Sequence, residues 1–179
     1  MGSRVSFSME VLRIEEVAQM HDDTAKSLRF YYNAPGLAQR DAKFVGYSIE
    51  DVRQELAGHL GELERNAAFG VLAALEASFR MDFLARCYDR RKDGLSRSLR
   101  ELHKLKGNRA ALENDILDAW KQHVPTAKSL ISELIGAFRY RHWLAHGRYW
   151  APKFGHRYDL LSVYLLAQRM ERVFQEHGG

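Results

Sequence analysis

Cysteine, proline and long apolar runs are all scarce in this sequence. The single cysteine, Cys87, excludes an intrachain disulfide framework, and the lack of a second thiol excludes a zinc site built on several thiolates. No segment approaches the roughly 18 apolar residues that a membrane-spanning helix needs, and Met1 to Glu10 lacks the hydrophobic region of a signal peptide. We therefore expect a cytoplasmic protein with no membrane partner.

The scarcity of proline and of β-branched residues favours helices throughout the chain. The three prolines, Pro35, Pro125 and Pro152, fall where the helical periodicity breaks, whereas Leu, Ala, Glu and Arg dominate elsewhere. With 46% hydrophobic residues, the 179-residue chain can bury a core. We predict an all-α fold, a helical bundle of five to six helices in residues 48–179, preceded by an N-terminal helical arm and linker in residues 1–47.

Local signals predict where the helices begin and end. Ser48 is predicted to be an N-cap, with Asp51 as its capping-box partner, at the start of a long helix that reaches about Tyr88. Gly147 is predicted to be the C-cap of the helix that Pro125 opens. The other predicted helices cover about residues 9–32, 96–105, 109–123 and 158–176. The last of them is expected to bury a stripe through Leu161, Tyr164, Leu165, Gln168 and Val173.

The net charge of +4 is unevenly distributed along the chain. Residues 134–158 contain five Arg or Lys, three His and seven aromatic residues but no acid, whereas residues 86–109 contain nine Arg or Lys against three acids. The remainder of the chain is acidic. Basic residues interleaved with aromatic ones suit a phosphate backbone and stacked bases, which favours a nucleic acid as a partner of residues 134–158. The run 86–109 is more typical of a solvated helix face and turn.

The stretch from Phe138 to Trp150 combines these features at the end of a predicted helix. His142 and His146 lie four residues apart and share a face, which is compatible with three kinds of site. A metal site would need a third ligand, and no Glu stands between the two histidines as a zinc protease motif requires. A structural role would have Arg and His side chains cap the helix C-terminus against its dipole. A phosphate-handling catalytic site would use Arg as a donor fork and His as a proton carrier.

The residues from Arg141 to His146 read Arg-His-Trp-Leu-Ala-His. This segment resembles the motif of the HEPN superfamily, an Arg followed by a His after four to six residues, and Arg139 with His146 also meets that spacing. The resemblance covers about residues 48–176 and is greatest to the bacterial branch linked to defence and toxin–antitoxin systems. It implies a helical bundle that acts as a metal-independent endoribonuclease and leaves a 2′,3′-cyclic phosphate.

The resemblance also implies roles for individual residues. Arg141 would orient the scissile phosphate, and His146 would be the general base or acid. His142, where the family often has another polar residue, would share the proton transfer. No metal or cofactor is expected. The predicted RNA contacts are the neighbouring basic and aromatic side chains Arg139, Trp143, Arg148, Tyr149, Trp150 and Lys153.

The chemistry further predicts a second protomer. Cleavage needs both a base and an acid, and one motif supplies one well-placed histidine besides His142. Two protomers facing each other across a two-fold axis would supply both groups, so we expect a homodimer with a composite site, as the family forms.

The resemblance adds an antitoxin protein as an expected partner. Some HEPN toxins carry, two residues after the motif histidine, a tyrosine that the antitoxin adenylylates; this chain has Arg148 at that position and Tyr149 one residue later. A non-catalytic helical module that binds RNA or a protein is the alternative function.

Overall fold

The computed structural model describes residues 5–8 and 10–177, and all regular structure in these residues is helical. This finding confirms the predicted all-α helical bundle. Seven α-helices follow one another in this part of the chain: α1 (Ile14–Tyr32), α2 (Leu37–Arg40), α3 (Ile49–Tyr88), α4 (Gly94–Lys106), α5 (Asp118–His123), α6 (Lys128–Ala145) and α7 (Leu160–His177). None of these helices is long and apolar enough to cross a membrane.

Helix α3, which has 40 residues, is the central element. Its predicted start is confirmed, because Asp51 N donates to Ser48 Oγ at 3.1 Å and Ser48 N donates to Asp51 Oδ2 at 2.8 Å, which completes a capping box. Helices α1, α4, α6 and α7 all pack against α3. The largest core side chains that α3 contributes are Val71, Leu72, Leu75, Phe79 and Phe83.

Helix α1 packs antiparallel to α3. Near its start, Val17 approaches Gly70 so closely that a Cβ at this glycine would lie 3.2 Å from Val17 Cγ1. At its end, Tyr32 Oη donates to Glu55 Oε1 at 2.7 Å. The arm predicted from the sequence is therefore packed along the bundle.

The segment predicted as a linker contains short helical turns. It forms α2 and a 3-10 turn at Ala42–Phe44, where Phe44 is buried. Met9, at which the first helix is predicted to begin, lies outside the described residues, as do residues 1–4 and 178–179 of the two predicted segments.

The prediction of one continuous α-helix over residues 109–123 is wrong. A 3-10 turn at Gly107–Arg109 is followed by a π-helix at Leu112–Leu117 and then by α5. The side chain of Asp115 accepts a hydrogen bond from Ala111 N at 2.7 Å, and Ile116 N donates to Ala111 O, five residues back, at 3.1 Å. This local capping interaction accompanies the wider turn that replaces the first α-helical turn.

The predicted stripe of α7 is correct in part, since Tyr164 and Val173 are partly buried against the core, but the centre of the buried face is rotated from it. Leu161 is 67% exposed and Leu165 is 50% exposed, although both belong to the predicted stripe. The side chains that enter the core are Val163, Leu166, Ala167 and Met170.

Candidate functional site

Helix α6 carries the motif residues to the edge of the bundle. Leu130, Ile131, Leu134 and Phe138 form an apolar stripe along α6, and all four are buried. Packing of this stripe fixes the rotation of α6 against the core. The last turn then projects beyond the core, and its polar side chains become accessible.

The predicted role of Gly147 in ending α6 is confirmed. Gly147 has a φ of +75°, Arg148 N donates to Trp143 O at 3.1 Å, and Gly147 N donates to Leu144 O at 3.4 Å. These two bonds form a Schellman motif, which requires the left-handed backbone that glycine adopts without strain. The chain therefore turns away directly after His146 and leaves its imidazole exposed.

The rings of His142 and His146 lie side by side in the last turn of α6. Their centroids are 4.2 Å apart, and their planes make an angle of 49°. Both residues are exposed, and neither imidazole forms a hydrogen bond or an ion pair with another described side chain. The ring of Trp150 lies 6.0 Å from that of His142. The pair is therefore open to solvent on one side and bordered by an aromatic residue on the other.

Arg141 lies on the side of α6 that faces α3. Its Nη2 is 3.2 Å from Glu76 Oε2, and its guanidinium carbon lies 5.4 Å from the centre of the Phe69 ring. Its Nε is buried without a hydrogen-bond partner, while 31% of the side chain remains exposed. By the helical step, Arg141 is rotated by about 140° from His146. Within one protomer the motif arginine and the histidine pair therefore occupy different sides of α6.

Arg148 ties the chain after α6 to helix α3. It is one of two non-glycine residues with positive φ in the described residues, at +60°, and its Nη1 donates to Glu62 Oε1 at 2.8 Å. Arg65 Nη2 donates to the same oxygen at 2.6 Å. Hydrogen bonds from Arg65 and then from Arg148 lower the pKa of Glu62 to about 2, so the carboxylate is ionised at neutral pH.

The acid-free segment 134–158 thus meets acids that come from another part of the chain. Glu76 is shared between Arg141 and Arg80, as Glu62 is shared between its two arginines. Each group of one carboxylate and two guanidiniums keeps a net charge of +1. Arg139 and Lys153 are exposed and form no ion pair with any described residue. This surface remains basic after the α3 acids are counted.

The three aromatic residues that the sequence predicts to stack on RNA differ in accessibility. Tyr149 is 84% exposed and makes an edge contact with Trp150 at 4.7 Å between centroids. Trp143 is half-buried, stacks on Tyr140, and donates from Nε1 to Trp150 O at 2.8 Å. Tyr149 therefore presents the most open ring, whereas Trp143 connects α6 to the segment that follows it.

The second basic run, residues 86–109, is in large part structural. Arg86 is 1% exposed, and its Nε donates to both carboxylate oxygens of Asp82 at 2.8 Å. Its other nitrogens donate to Ser96 Oγ and to the carbonyl oxygen of His177 at the end of α7. Lys104 and Lys106 also pair with acids on the surface. Interpretation of this run as a solvated face therefore needs one amendment, since Arg86 is buried.

Sequence reasoning missed Glu62 and Glu76. Together with Arg65 they recur on α3 at steps of three and eleven residues, which places all three on one side of the helix. This pattern is visible in the sequence, but nothing local indicates that α6 packs beside it. No group of three or more His, Cys, Asp or Glu side chains in residues 5–8 and 10–177 is arranged to hold a metal ion.

Comparisons with protein-family models, with curated proteins and with solved structures find no match to this chain. The resemblance to the HEPN superfamily consequently depends on the motif from Arg141 to His146 and on its place at the end of an amphipathic helix. Function has to be argued from the geometry of the site itself.

Proposed function

We propose that this protein is a metal-independent endoribonuclease of the HEPN type, which cleaves RNA through attack of a 2′-hydroxyl on the adjacent phosphate. The observation that carries this proposal is the exposed pair of imidazoles, His142 and His146, 4.2 Å apart between centroids and without a carboxylate partner among the described side chains. A histidine has an ordinary pKa near 6.5, so it can accept and donate a proton near neutral pH.

The reaction needs a base, an acid and a cation. His146 takes the proton of the 2′-hydroxyl while its oxygen forms a bond to phosphorus. The bond from phosphorus to the 5′-oxygen breaks, and a protonated imidazole gives that oxygen a proton. This imidazole is either His142 of the same protomer or His146 of the partner subunit. The products are a 2′,3′-cyclic phosphate and a 5′-hydroxyl, and the step consumes no cofactor.

Arg141 is assigned to the phosphate because a guanidinium offers paired donors to phosphate oxygens. Its exposed fraction of 31% leaves part of the fork accessible beside the Glu76 ion pair. Because Arg141 and His146 occupy different sides of α6, a site that uses both is completed most directly by two protomers. The geometry thus supports the proposed homodimer, in which each site takes its Arg141 from one chain and its His146 from the other.

The basic and aromatic side chains around the pair provide the RNA-binding surface. Arg139 and Lys153 carry no ion pair with described residues and attract the phosphate backbone. Tyr149 offers an open ring for stacking on an unpaired base. We therefore propose single-stranded or loop RNA as substrate, and a role as a toxin or defence effector whose activity an antitoxin protein restrains.

The test is cleavage of total RNA in excess EDTA, with analysis of the RNA ends. Wild-type protein is expected to produce 2′,3′-cyclic phosphate ends, and His146→Ala and Arg141→Ala are each expected to lose about 10²–10⁴-fold in rate. His59→Ala and Arg53→Ala, which alter exposed residues on α3 far along the chain from the motif, are the matched controls and should retain activity. No cleavage by the wild type, or full activity of His146→Ala, would reject the proposal.

The same wild-type and variant proteins distinguish a ribonuclease from the alternative, a non-catalytic module that binds RNA. It predicts salt-dependent RNA binding without cleavage, and equal binding by wild type and His146→Ala. Expression in a bacterial host gives a second readout, since a toxin should arrest growth only when His146 is intact.

A further inference from the structure

A cavity lies between α3, α6 and the segment that leads into α7. Its volume is about 310 Å³, at the small end of the range for ligand pockets. Four aromatic rings form much of its wall, and acidic and basic side chains complete it. The residues used in the argument below are Tyr140, Phe154, Tyr158, Glu64 and Arg65.

Three polar groups that line this cavity have no partner in the described chain. The Nε of Arg65 is buried and makes no hydrogen bond. Tyr140 is only 6% exposed, yet its hydroxyl makes no hydrogen bond either. The carboxylate of Glu64 forms neither a hydrogen bond nor an ion pair. Of these groups only Arg65 Nε is closed off from solvent, whereas the Tyr140 hydroxyl and the Glu64 carboxylate reach solvent and are free to donate or accept. Unpartnered polar groups on residues that line one cavity can serve a ligand with matching polar atoms.

The pKa of the Tyr140 phenol is raised, mainly because the ring is buried, and the charges of Arg65 and Glu64 act on it next. A phenol is already protonated at neutral pH at its ordinary pKa near 10, and burial favours that form further, so the Tyr140 hydroxyl can donate as well as accept.

The aromatic wall is held in place by contacts that extend to α6. Tyr158 stacks on Tyr140 with centroids 5.6 Å apart and planes at 18°, and Phe154 meets Tyr140 edge-on at 5.5 Å. Tyr158 reaches so close to α6 that a Cβ at Gly136 would lie 2.2 Å from its hydroxyl. A flat apolar wall with polar groups at its edge is suited to a planar heterocycle.

We infer that this cavity binds one base of the RNA substrate, and that guanine is the base it fits best. The carboxylate of Glu64 accepts from the adjacent N1–H and amino group, which guanine alone among the common RNA bases presents together on one edge. The guanidinium of Arg65 donates to O6 or N7, the usual acceptors of an arginine on guanine, and the Tyr140 hydroxyl supplies a further donor. Trp143 lines the cavity and follows His142 in the chain, so the cavity and the proposed cleavage site share the same part of α6.

The inference rests on the proposed function only in that RNA supplies the base, so the test measures binding without cleavage. Guanosine 5′-monophosphate is titrated into the full chain by calorimetry, and the adenosine, cytidine and uridine monophosphates and ribose 5-phosphate are titrated in parallel. Guanosine monophosphate is expected to bind at least about fivefold more tightly than the other nucleotides. Tyr140→Phe and Glu64→Gln, which keep the shape of the site, are each expected to weaken its binding by about tenfold.

Tyr47→Phe, on an exposed ring just before α3 and outside the cavity, is the matched control and should bind as the wild type does. Thermal unfolding of each variant verifies that the fold is intact. Equal binding of all four nucleotides, or binding of guanosine monophosphate that Tyr140→Phe and Glu64→Gln leave unchanged, would overturn the inference. If the protein cleaves RNA but does not prefer guanosine monophosphate, the proposed ribonuclease activity is supported and the base pocket is rejected. If the protein binds guanosine monophosphate but does not cleave RNA, the base pocket is supported and the ribonuclease activity is rejected.

Discussion

Arg148 Nη1 donates to Glu62 Oε1 at 2.8 Å, and this ion pair joins residues 86 positions apart in the chain. The carboxylate occupies donors that a phosphate group would otherwise take, because both are anions with oxygen acceptors in similar positions. The interaction has two consequences for the proposed site. It holds the segment after α6 against α3, and it lowers the positive charge of the surface where we propose that RNA binds.

Glu62→Gln is expected to make RNA binding more sensitive to salt. The substitution removes one negative charge beside Arg65 and Arg148, so up to two more guanidiniums can contact phosphates. For single-stranded RNA, the slope of log affinity against log salt should become steeper by about 0.7 for each additional contact. Fluorescence anisotropy with a labelled oligonucleotide, measured on the inactive His146→Ala background, gives this slope.

The control for that experiment is Glu101→Gln, which removes an exposed carboxylate paired with Lys104 on α4. It should leave the slope unchanged if RNA binds beside α6. A steeper slope for Glu101→Gln than for Glu62→Gln would indicate that RNA binds at residues 86–109 instead.

Gly147→Ala is expected to destabilise the protein by about 1 kcal/mol, since alanine is strained at the φ of +75°. A Cβ at this position would meet no atom within 4 Å, so the backbone strain is the whole cost. Gly58→Ala is a matched control, because Gly58 lies within α3 and its Cβ would also meet open space. That substitution should stabilise the protein by about 0.5–1 kcal/mol. Urea unfolding measures both, and equal effects would contradict the Schellman assignment.

Much of the fold follows from local signals, whereas the partners of the site do not. The capping box at Ser48 and the glycine end of α6 involve residues within a few positions of each other, so the sequence predicts them correctly. The phase of α7 is ambiguous, because Leu161 and Leu165 have the same helical spacing as Leu166 and Met170. Only packing against α3 selects the second pair.

The pairing of α6 with the acids of α3 is the least predictable feature. Glu62 and Glu76 are separated from their partners on and after α6 by more than 60 positions, and their contact depends on how two long helices are rotated against each other. A sequence read for local patterns shows an acid-free segment and cannot show that α3 supplies the missing charge.

The effect of Gly136→Ala on the free energy of unfolding is expected to depend strongly on whether the Tyr158 hydroxyl is present. In the wild type the new Cβ would lie 2.2 Å from the Tyr158 hydroxyl and displace it, which offsets the gain in helix propensity. In Tyr158→Phe the hydroxyl is absent and the nearest ring carbon is 3.5 Å away. The glycine substitution should then stabilise the protein by about 0.5–1 kcal/mol. A double-mutant cycle by urea unfolding measures this difference, and additive effects would show that Tyr158 does not pack on Gly136.

Arg86→Met is expected to cost about 3–5 kcal/mol near pH 7.5, because it leaves the Asp82 carboxylate in the interior without its main partner. Burial already raises the pKa of Asp82 in the wild type, and loss of the arginine should raise it further. A raised pKa in the folded state means that the protonated carboxyl is favoured by folding, so stability is lost as the pH rises through that pKa. The cost should therefore be smaller at pH 5.0 than at pH 7.5.

Urea unfolding at these two pH values measures the cost. The exposed Arg97→Met on α4 is the control and should change stability by less than about 0.5 kcal/mol at either pH. If Arg86→Met cost more at pH 5.0 than at pH 7.5, the Asp82 carboxylate would not be the group left unpaired.

Mixing two inactive variants tests whether the proposed site is shared between protomers. Arg141→Ala and His146→Ala homodimers each lack one required group at both sites. If each site combines Arg141 of one chain with His146 of the other, the mixed dimer contains one complete site and one site that lacks both groups. Random exchange makes half of the dimers mixed, so about a quarter of wild-type activity should return. Cleavage of a labelled RNA after mixed refolding measures the recovery. A site contained within one protomer predicts no recovery, because neither chain then carries both side chains, and a site that needs the His146 of both protomers predicts none either.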